Sequence, residues 1–144
     1  MRTLGVDLGS VRVGVALSDT TGTLASPLAV LARSPDLFDR LADLVLEHEA
    51  GAVVVGLPRS LDGAERRAAR AARSEADLLA ERVQVPVHLH DERLSTVTAH
   101  AALAAAGRTG RQRRGSVDAS AAAVLLQSWL DSPAGRRPEE GPAS

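Results

Sequence analysis

Three acids in this chain stand where carboxylates can act together: Asp7, Glu92 and Asp118. Asp7 interrupts the apolar run Leu4-Gly5-Val6-Asp7-Leu8-Gly9, and Glu92 follows Val87-His88-Leu89-His90-Asp91. An acid inside an apolar strand has lost part of its hydration, which is costly unless a cation compensates. Oxygen donors without sulfur suit hard divalent cations such as Mg²⁺ and Mn²⁺. Structural roles are open to the other two acids. Asp118 in Ser116-Val117-Asp118-Ala119 can serve as a helix N-terminal acid favoured by the macrodipole, and Glu92 can pair with Arg93 or a distant Arg. Asp7 has the weakest such reading, because turn acids follow a strand rather than end it inside an apolar hairpin.

The elements that must position these acids follow from periodicity. Residues 3–8 form a short apolar strand, Gly9-Ser10 a turn, and 12–18 the alternating hairpin partner. A third strand is expected near 23–30, interrupted by Pro27. Ser34-Pro35-Asp36 opens a helix with Leu37, Leu41, Leu44 and Val45 on one face, Ser34 as its N-cap and Gly51 as its end. Residues 52–57 read as a strand buried on both faces, as in a parallel sheet. A loop at 58–63, a helix at 64–82, a strand at 85–89, a helix at 95–106, a Gly/Arg loop at 107–116 and an Ala-rich helix at 117–130 complete the order.

Residues 1–131 make one α/β domain whose sheet has one antiparallel strand, and 132–144 read as a disordered Pro/Gly/Glu-rich tail. In open α/β sheets chemistry gathers outside the carboxyl ends of the parallel strands, where Asp7, the 58–63 loop and Glu92 all fall. Asp91 and Glu92 are neighbours on a strand, so only one of them shares the face of Asp7. Periodicity alone leaves both open.

Charge and composition narrow the partner. The net charge of the 144 residues is -1, yet among the 17 Lys and Arg residues every one is Arg, a permanent fork that can hold phosphate bidentately. Without Lys there is no Schiff-base chemistry and no Walker-type lysine. Without Cys there is neither a disulfide framework nor a thiolate metal site. Arg12, Arg59 and Arg93 lie beside the acidic motifs as phosphate holders, and Arg108, Arg111, Arg113 and Arg114 cluster in the 107–116 loop without nearby acids. A row of Arg66, Arg70 and Arg73 either carries a flanking strand or forms a solvated face paired with Glu65, Asp77 and Glu81. His88, His90 and His100 are not required for the chemistry. Phe38 and Trp129 are the only aromatics and are expected to be buried, so bases find no stacking platform and recognition falls to the backbone. The chain opens directly on a strand and has no membrane-length apolar run, so a cytoplasmic location is expected, with no membrane partner.

Five segments in order resemble the YqgF family of RNase H-like nucleases over residues 3–131: Val6-Asp7-Leu8-Gly9-Ser10-Val11-Arg12-Val13-Gly14-Val15-Ala16, Val55-Gly56-Leu57-Pro58, Asp62-Gly63, Asp91-Glu92-Arg93-Leu94-Ser95-Thr96 and Val117-Asp118-Ala119-Ser120-Ala121-Ala122. The resemblance implies an RNase H-like, mixed five-stranded sheet with helices on both faces. It implies that Asp7, Glu92 and Asp118 are the catalytic carboxylates and metal ligands, which favours Glu92 over Asp91. It further implies two-metal hydrolysis of phosphodiesters with two Mg²⁺ or Mn²⁺ ions, Asp7 being the shared ligand. The implied substrate is precursor 16S rRNA at its 5′ end or, alternatively, branched DNA such as a Holliday junction, acted on by a monomer or homodimer. One departure stands out: family members often carry Lys before the motif at Asp118, where this chain has Arg113-Arg114-Gly115. Two other classes compete. The Asp7 motif also resembles the phosphate loop of actin-like ATP-binding proteins, and a non-catalytic RNA-binding factor of ribosome assembly is a more distant reading.

Overall fold

The computed structural model describes residues 1–57, 63–91, 110–133 and 135, with side chains over 1–57, 67–90, 119–133 and 135. Five strands and three helices are present among them. They are β1 (Arg2–Leu8), β2 (Arg12–Ser18), β3 (Ala25–Ala32), α1 (Leu37–Glu47), β4 (Ala50–Leu57), α2 (Gly63–Arg82), β5 (Val87–Asp91) and α3 (Gly110–Asp131). The expected helix at 95–106 and loop at 58–62 lie outside the described residues.

The strands form one sheet in the order β3-β2-β1-β4-β5. β2 runs antiparallel to both of its neighbours, while β1, β4 and β5 are mutually parallel. One reversed strand in a five-stranded sheet is the arrangement expected from the hairpin followed by alternating helices and strands. Side chains alternate across the pleat, so one strand can serve two cores. Leu4, Val6, Val13, Val15, Val53 and Val55 pack beneath α1 and α2 with Leu37, Leu41, Val45 and Leu79. The other parity carries Ala16 and Val54 against Ala122, Leu126, Trp129 and Leu130 of α3. β4 is therefore apolar at consecutive positions because both of its faces are covered.

Several expected boundaries move for identifiable reasons. β3 tolerates Pro27 because β3 is an edge strand and its register slips between Val15 and Ala16, opposite Ala29 and Pro27. The N-cap position of α1 is Asp36 rather than Ser34, without a side-chain cap, and the Ser34 hydroxyl instead donates to the Asp36 carboxylate, which lowers that acid's pKa. α1 ends at Glu47, before Gly51, because Glu49 takes the left-handed conformation (φ 53°) and turns the chain into β4. Phe38 is only half-buried and lies under the Arg82 guanidinium at 5.9 Å. α3 begins at Gly110 rather than 117 and takes in most of the expected loop. Arg, Gln and Ala are strong helix formers, and the single interior Gly115 costs only about 1 kcal/mol across this length. After α3 the chain stays against its end, Ser132 donating from its backbone to the Trp129 carbonyl at 3.1 Å.

The end of the sheet remote from Asp7 is closed by a carboxylate. Asp19, after β2, accepts the backbone N–H groups of Thr23 (2.8 Å) and Leu24 (3.2 Å) and the Thr21 hydroxyl (2.9 Å). The bond from Thr23 contributes most to holding its pKa below the ordinary 3.8. A group with a depressed folded pKa stabilises the fold above its unfolded pKa and loses that effect as pH falls through the folded value. Thermal denaturation of wild type and Asp19→Ala should therefore differ most at neutral pH, and the gap should narrow as the pH drops below about 4. A gap independent of pH would show that the carboxylate charge plays no part.

Candidate functional site

Asp7 sits half-buried near the carboxyl end of β1, on the face covered by α3. Its parity is that of Gly5, and β1 places it opposite Gly14 of β2. On the other side, Val6 pairs with Val55, which sets Gly56 beside Asp7, and Gly56 in turn pairs with His90 of β5. The cross-sheet row is thus Gly14, Asp7, Gly56, His90. Glycine on both flanks leaves no side chain directly opposite the carboxylate in the cross-sheet row, while Arg12 of β2 stands on the same face just beyond it. A carboxylate with bare flanks at a strand end suits a hydrated hard cation, which needs oxygen donors and space for water.

The helix over this row approaches unusually closely. A Cβ placed on Gly5 would lie 2.8 Å from the Leu126 Cβ and 3.3 Å from the Ala122 carbonyl oxygen, so α3 rests on the bare backbone of β1. Its direction is fixed by Gln127. That side chain accepts from the Ala25 N–H (2.9 Å) and donates to the Thr23 carbonyl (2.8 Å), at the start of β3. Ala25 pairs with Ser18, whose hydroxyl takes the Thr3 N–H at 2.8 Å, so this is the amino end of β1. From Gln127 back to Ala122 the helix therefore climbs toward the carboxyl end. One further turn, about 6 Å, matches the two-residue step from Gly5 to Asp7 and brings backbone position 118 to the level of Asp7.

Position 118 is eight residues past Gly110, not at the start of the helix as expected. The macrodipole acts within the first turn, so the N-terminal explanation for an acid there no longer applies. Arg111, Arg113 and Arg114 are likewise corrected from loop to helix, positions 111 and 114 standing one turn apart. Their side chains, like that of Asp118, lie outside the described residues, as do Glu92, Arg59 and Arg93. Arg12 opens β2 with the parity of Gly14, on the face of Asp7 and just beyond it. Among the described residues no group of three or more His, Asp or Glu gathers at one point.

β5 bears on the choice between Asp91 and Glu92. His88 stacks on Trp129 of α3 at 5.2 Å, and His90 Nε2 meets the Ser128 hydroxyl at 3.0 Å, so the even positions of β5 face α3. Val87 packs with the opposite core, which gives position 91 the parity away from Asp7. His88 accordingly has a packing role.

One positioning residue carries no signal in the sequence. Arg33, just past β3, donates from Nε to the Gly9 carbonyl at 2.6 Å and grips both oxygens of Glu75 on α2 at 2.6 and 2.9 Å. The bond to Glu75 is the main reason its pKa is raised. The turn after Asp7 is thereby tied to α2 through Arg33, which is 24 residues from Gly9 and 42 from Glu75, and no local pattern announces it. The turn itself admits only glycine at position 9, where a Cβ would meet the Arg12 carbonyl oxygen at 2.4 Å.

Comparison with known proteins follows the same lines. The family profile described as "RuvX: Holliday junction resolvase" matches residues 1–132. The chain belongs to this family. A relative from Thermobifida fusca with the name "Putative pre-16S rRNA nuclease" is 53% identical over 136 residues, covering 89% of this chain and 86% of its own length. One of the same name from Anaeromyxobacter is 49% identical over 134 residues, with 91% and 97% covered. The Thermus thermophilus RuvC structure in complex with Holliday junction substrate shares the fold at 18% identity and a TM-score of 0.60, covering 90% of this chain and 94% of that one. Fowlpox virus Holliday junction resolvase does so at 10% identity and a TM-score of 0.53, covering 90% and 97%.

The Gly5 contact makes a direct prediction. Gly5→Ala forces α3 off β1, with an expected loss of about 1–3 kcal/mol in denaturant unfolding. Because the shift falls between Asp7 and position 118, cleavage by the folded variant should fall by more than its folded fraction does. Equal losses would show that the helix position does not matter to the site.

Proposed function

We propose that this chain is a metal-dependent nuclease that hydrolyses phosphodiester bonds, and that its reaction is 5′-end maturation of precursor 16S rRNA. The observation that carries this reading is the half-buried Asp7 between Gly14 and Gly56, at the sheet end to which α3 brings position 118. The names of relatives near half identity supply the substrate. Asp7, Glu92 and Asp118 would hold two Mg²⁺ or Mn²⁺ ions, which when bound supply a water of lowered pKa and a Lewis acid at the leaving oxygen. The parity of β5 counts against Asp91, which falls on the series of Val87 and not on that of His88 and His90.

The chain's own residues have separable tasks. Asp7 is held by the strand on either side of it, so its carboxylate needs little ordering when substrate arrives. Arg12, on the same face, contacts phosphate beside the scissile bond, joined by Arg59 and Arg93 from the ends of β4 and β5. Arg111, Arg113 and Arg114 contact the strand further out, in place of the lysine common in the family. None of these contacts reads a base, so specificity rests on backbone shape.

The family description favours a second reading, cleavage of branched DNA such as a Holliday junction. Side-by-side cleavage of precursor rRNA and a four-way DNA junction in Mn²⁺ separates the two, and faster cutting of the junction would replace the first substrate by the second. In either assay Asp7→Asn should keep its circular dichroism spectrum and lose about 100-fold or more of its metal-dependent rate. Wild-type turnover by that variant would sink the proposal for both substrates.

A further inference from the structure

Helix α2 is longer than the core beneath it requires. Among its described side chains Ala72, Ala76 and Leu79 are buried, whereas Arg67, Ala68, Arg70 and Ala71 are exposed and Ala69 is only partly covered. Glu75 marks the level at which the helix passes the turn after Asp7, because Arg33 joins it to the Gly9 carbonyl. From Gly63 to Glu75 there are about 18 Å of helix at 1.5 Å per residue, so the amino-terminal half projects past that turn.

The projecting half carries an ordered set of charges. Arg67, Arg70 and Arg73 fall within an arc of about 120° turned away from Ala72, Ala76 and Leu79, and rise about 9 Å along the axis. All three are exposed, and none forms an ion pair with another described residue. Arg73 and Asp77 are four apart on the helix yet remain separate. The acids Asp77 and Glu81 lie on the same side but toward the carboxyl end. On this face the cations gather toward the amino end and the anions toward the carboxyl end, so the two signs are segregated along the axis. A merely solvated face would gain from mixing the signs.

We infer that the amino-terminal half of α2 is a docking arm for the phosphate backbone of a double-helical segment leading away from the bond cut at Asp7. This rests on the nuclease reading of the site and extends it to the substrate's flank. Three guanidiniums on one exposed arc can each grip a phosphate without reading a base. The Arg33–Glu75 bridge links the arm to the turn beside Asp7, so the docked backbone and the site keep a fixed relation.

The test is equilibrium binding in EDTA, where nothing is cut, to a stem-loop RNA with a 5′ extension and to a four-way DNA junction, over a range of salt concentrations. Relative to wild type, R67Q/R70Q/R73Q should show a log K against log salt slope shallower by about 2–3, at about 0.9 per lost phosphate contact. Its Tm should be unchanged, because these arginines are exposed and pair with no other described residue. An unchanged slope on substrates that wild type binds overturns the inference. So does sedimentation showing that the substitutions break a wild-type dimer while nucleic-acid affinity stays the same, which would assign the arm to a second copy of this chain. Metal-dependent cleavage by wild type and Asp7→Asn is read separately, so failure of the arm and failure of the site are distinguishable.

Discussion

The closeness with which α3 lies on β1 governs the arrangement of the whole carboxyl-end surface. The absence of a side chain at Gly5 lets Leu126 and the Ala122 backbone settle against the strand. Gln127 fixes the helix at one end, and Trp129 and Ser128 fix it laterally through His88 and His90. A packed interface of this kind is not continuously adjustable, because interior side chains fill space at crystal-like density. The separation between Asp7 and position 118 is therefore set by apolar contacts a turn away from either. Packing of α3 on β1 thus sets the backbone separation of the two positions.

Directly opposite Asp7 the sheet carries no side chains. Gly14 and Gly56 flank it, and glycine in a strand interior weakens the strand. Val13, Val15, Val53 and Val55 on the opposite parity are fully buried and offset that weakness from beneath. The two faces differ: the α1/α2 face carries the larger apolar core, and the α3 face carries a smaller one beside the row Gly14, Asp7, Gly56 and His90. Placing the acid on the central strand of five also keeps it away from the sheet's fraying edges.

Much of this is legible in the chain itself, and the parts that are not share a cause. The hairpin, the doubly buried β4 and the long α2 each depend on local periodicity, and local periodicity is written in the residues. Asp7 was visible for the same reason, as a charge breaking an apolar pattern. Parity on β5 could not be read without knowing which face His88 and His90 meet, because that depends on Trp129 and Ser128 some 40 residues later. The start of α3 was hidden by Gly110 and Gly115, which look like a loop until a long helix absorbs them. Arg33 gave no sign at all: its partners, the Gly9 carbonyl and Glu75, are linked to it only by the fold.

The docking of α3 has a consequence in time. β1, β2 and Asp7 emerge first in synthesis and pair locally, whereas α3 lies more than 90 residues downstream and meets β1 only through a long-range contact. A partly made chain can thus fold its hairpin and display Asp7 while the position-118 acid is still missing. If Asp7 and Asp118 act together as proposed, their set closes last, when the final described helix seats over Gly5. On that proposal an incomplete chain is a silent one, and the nucleic acid around it is safe from a half-assembled cutting site.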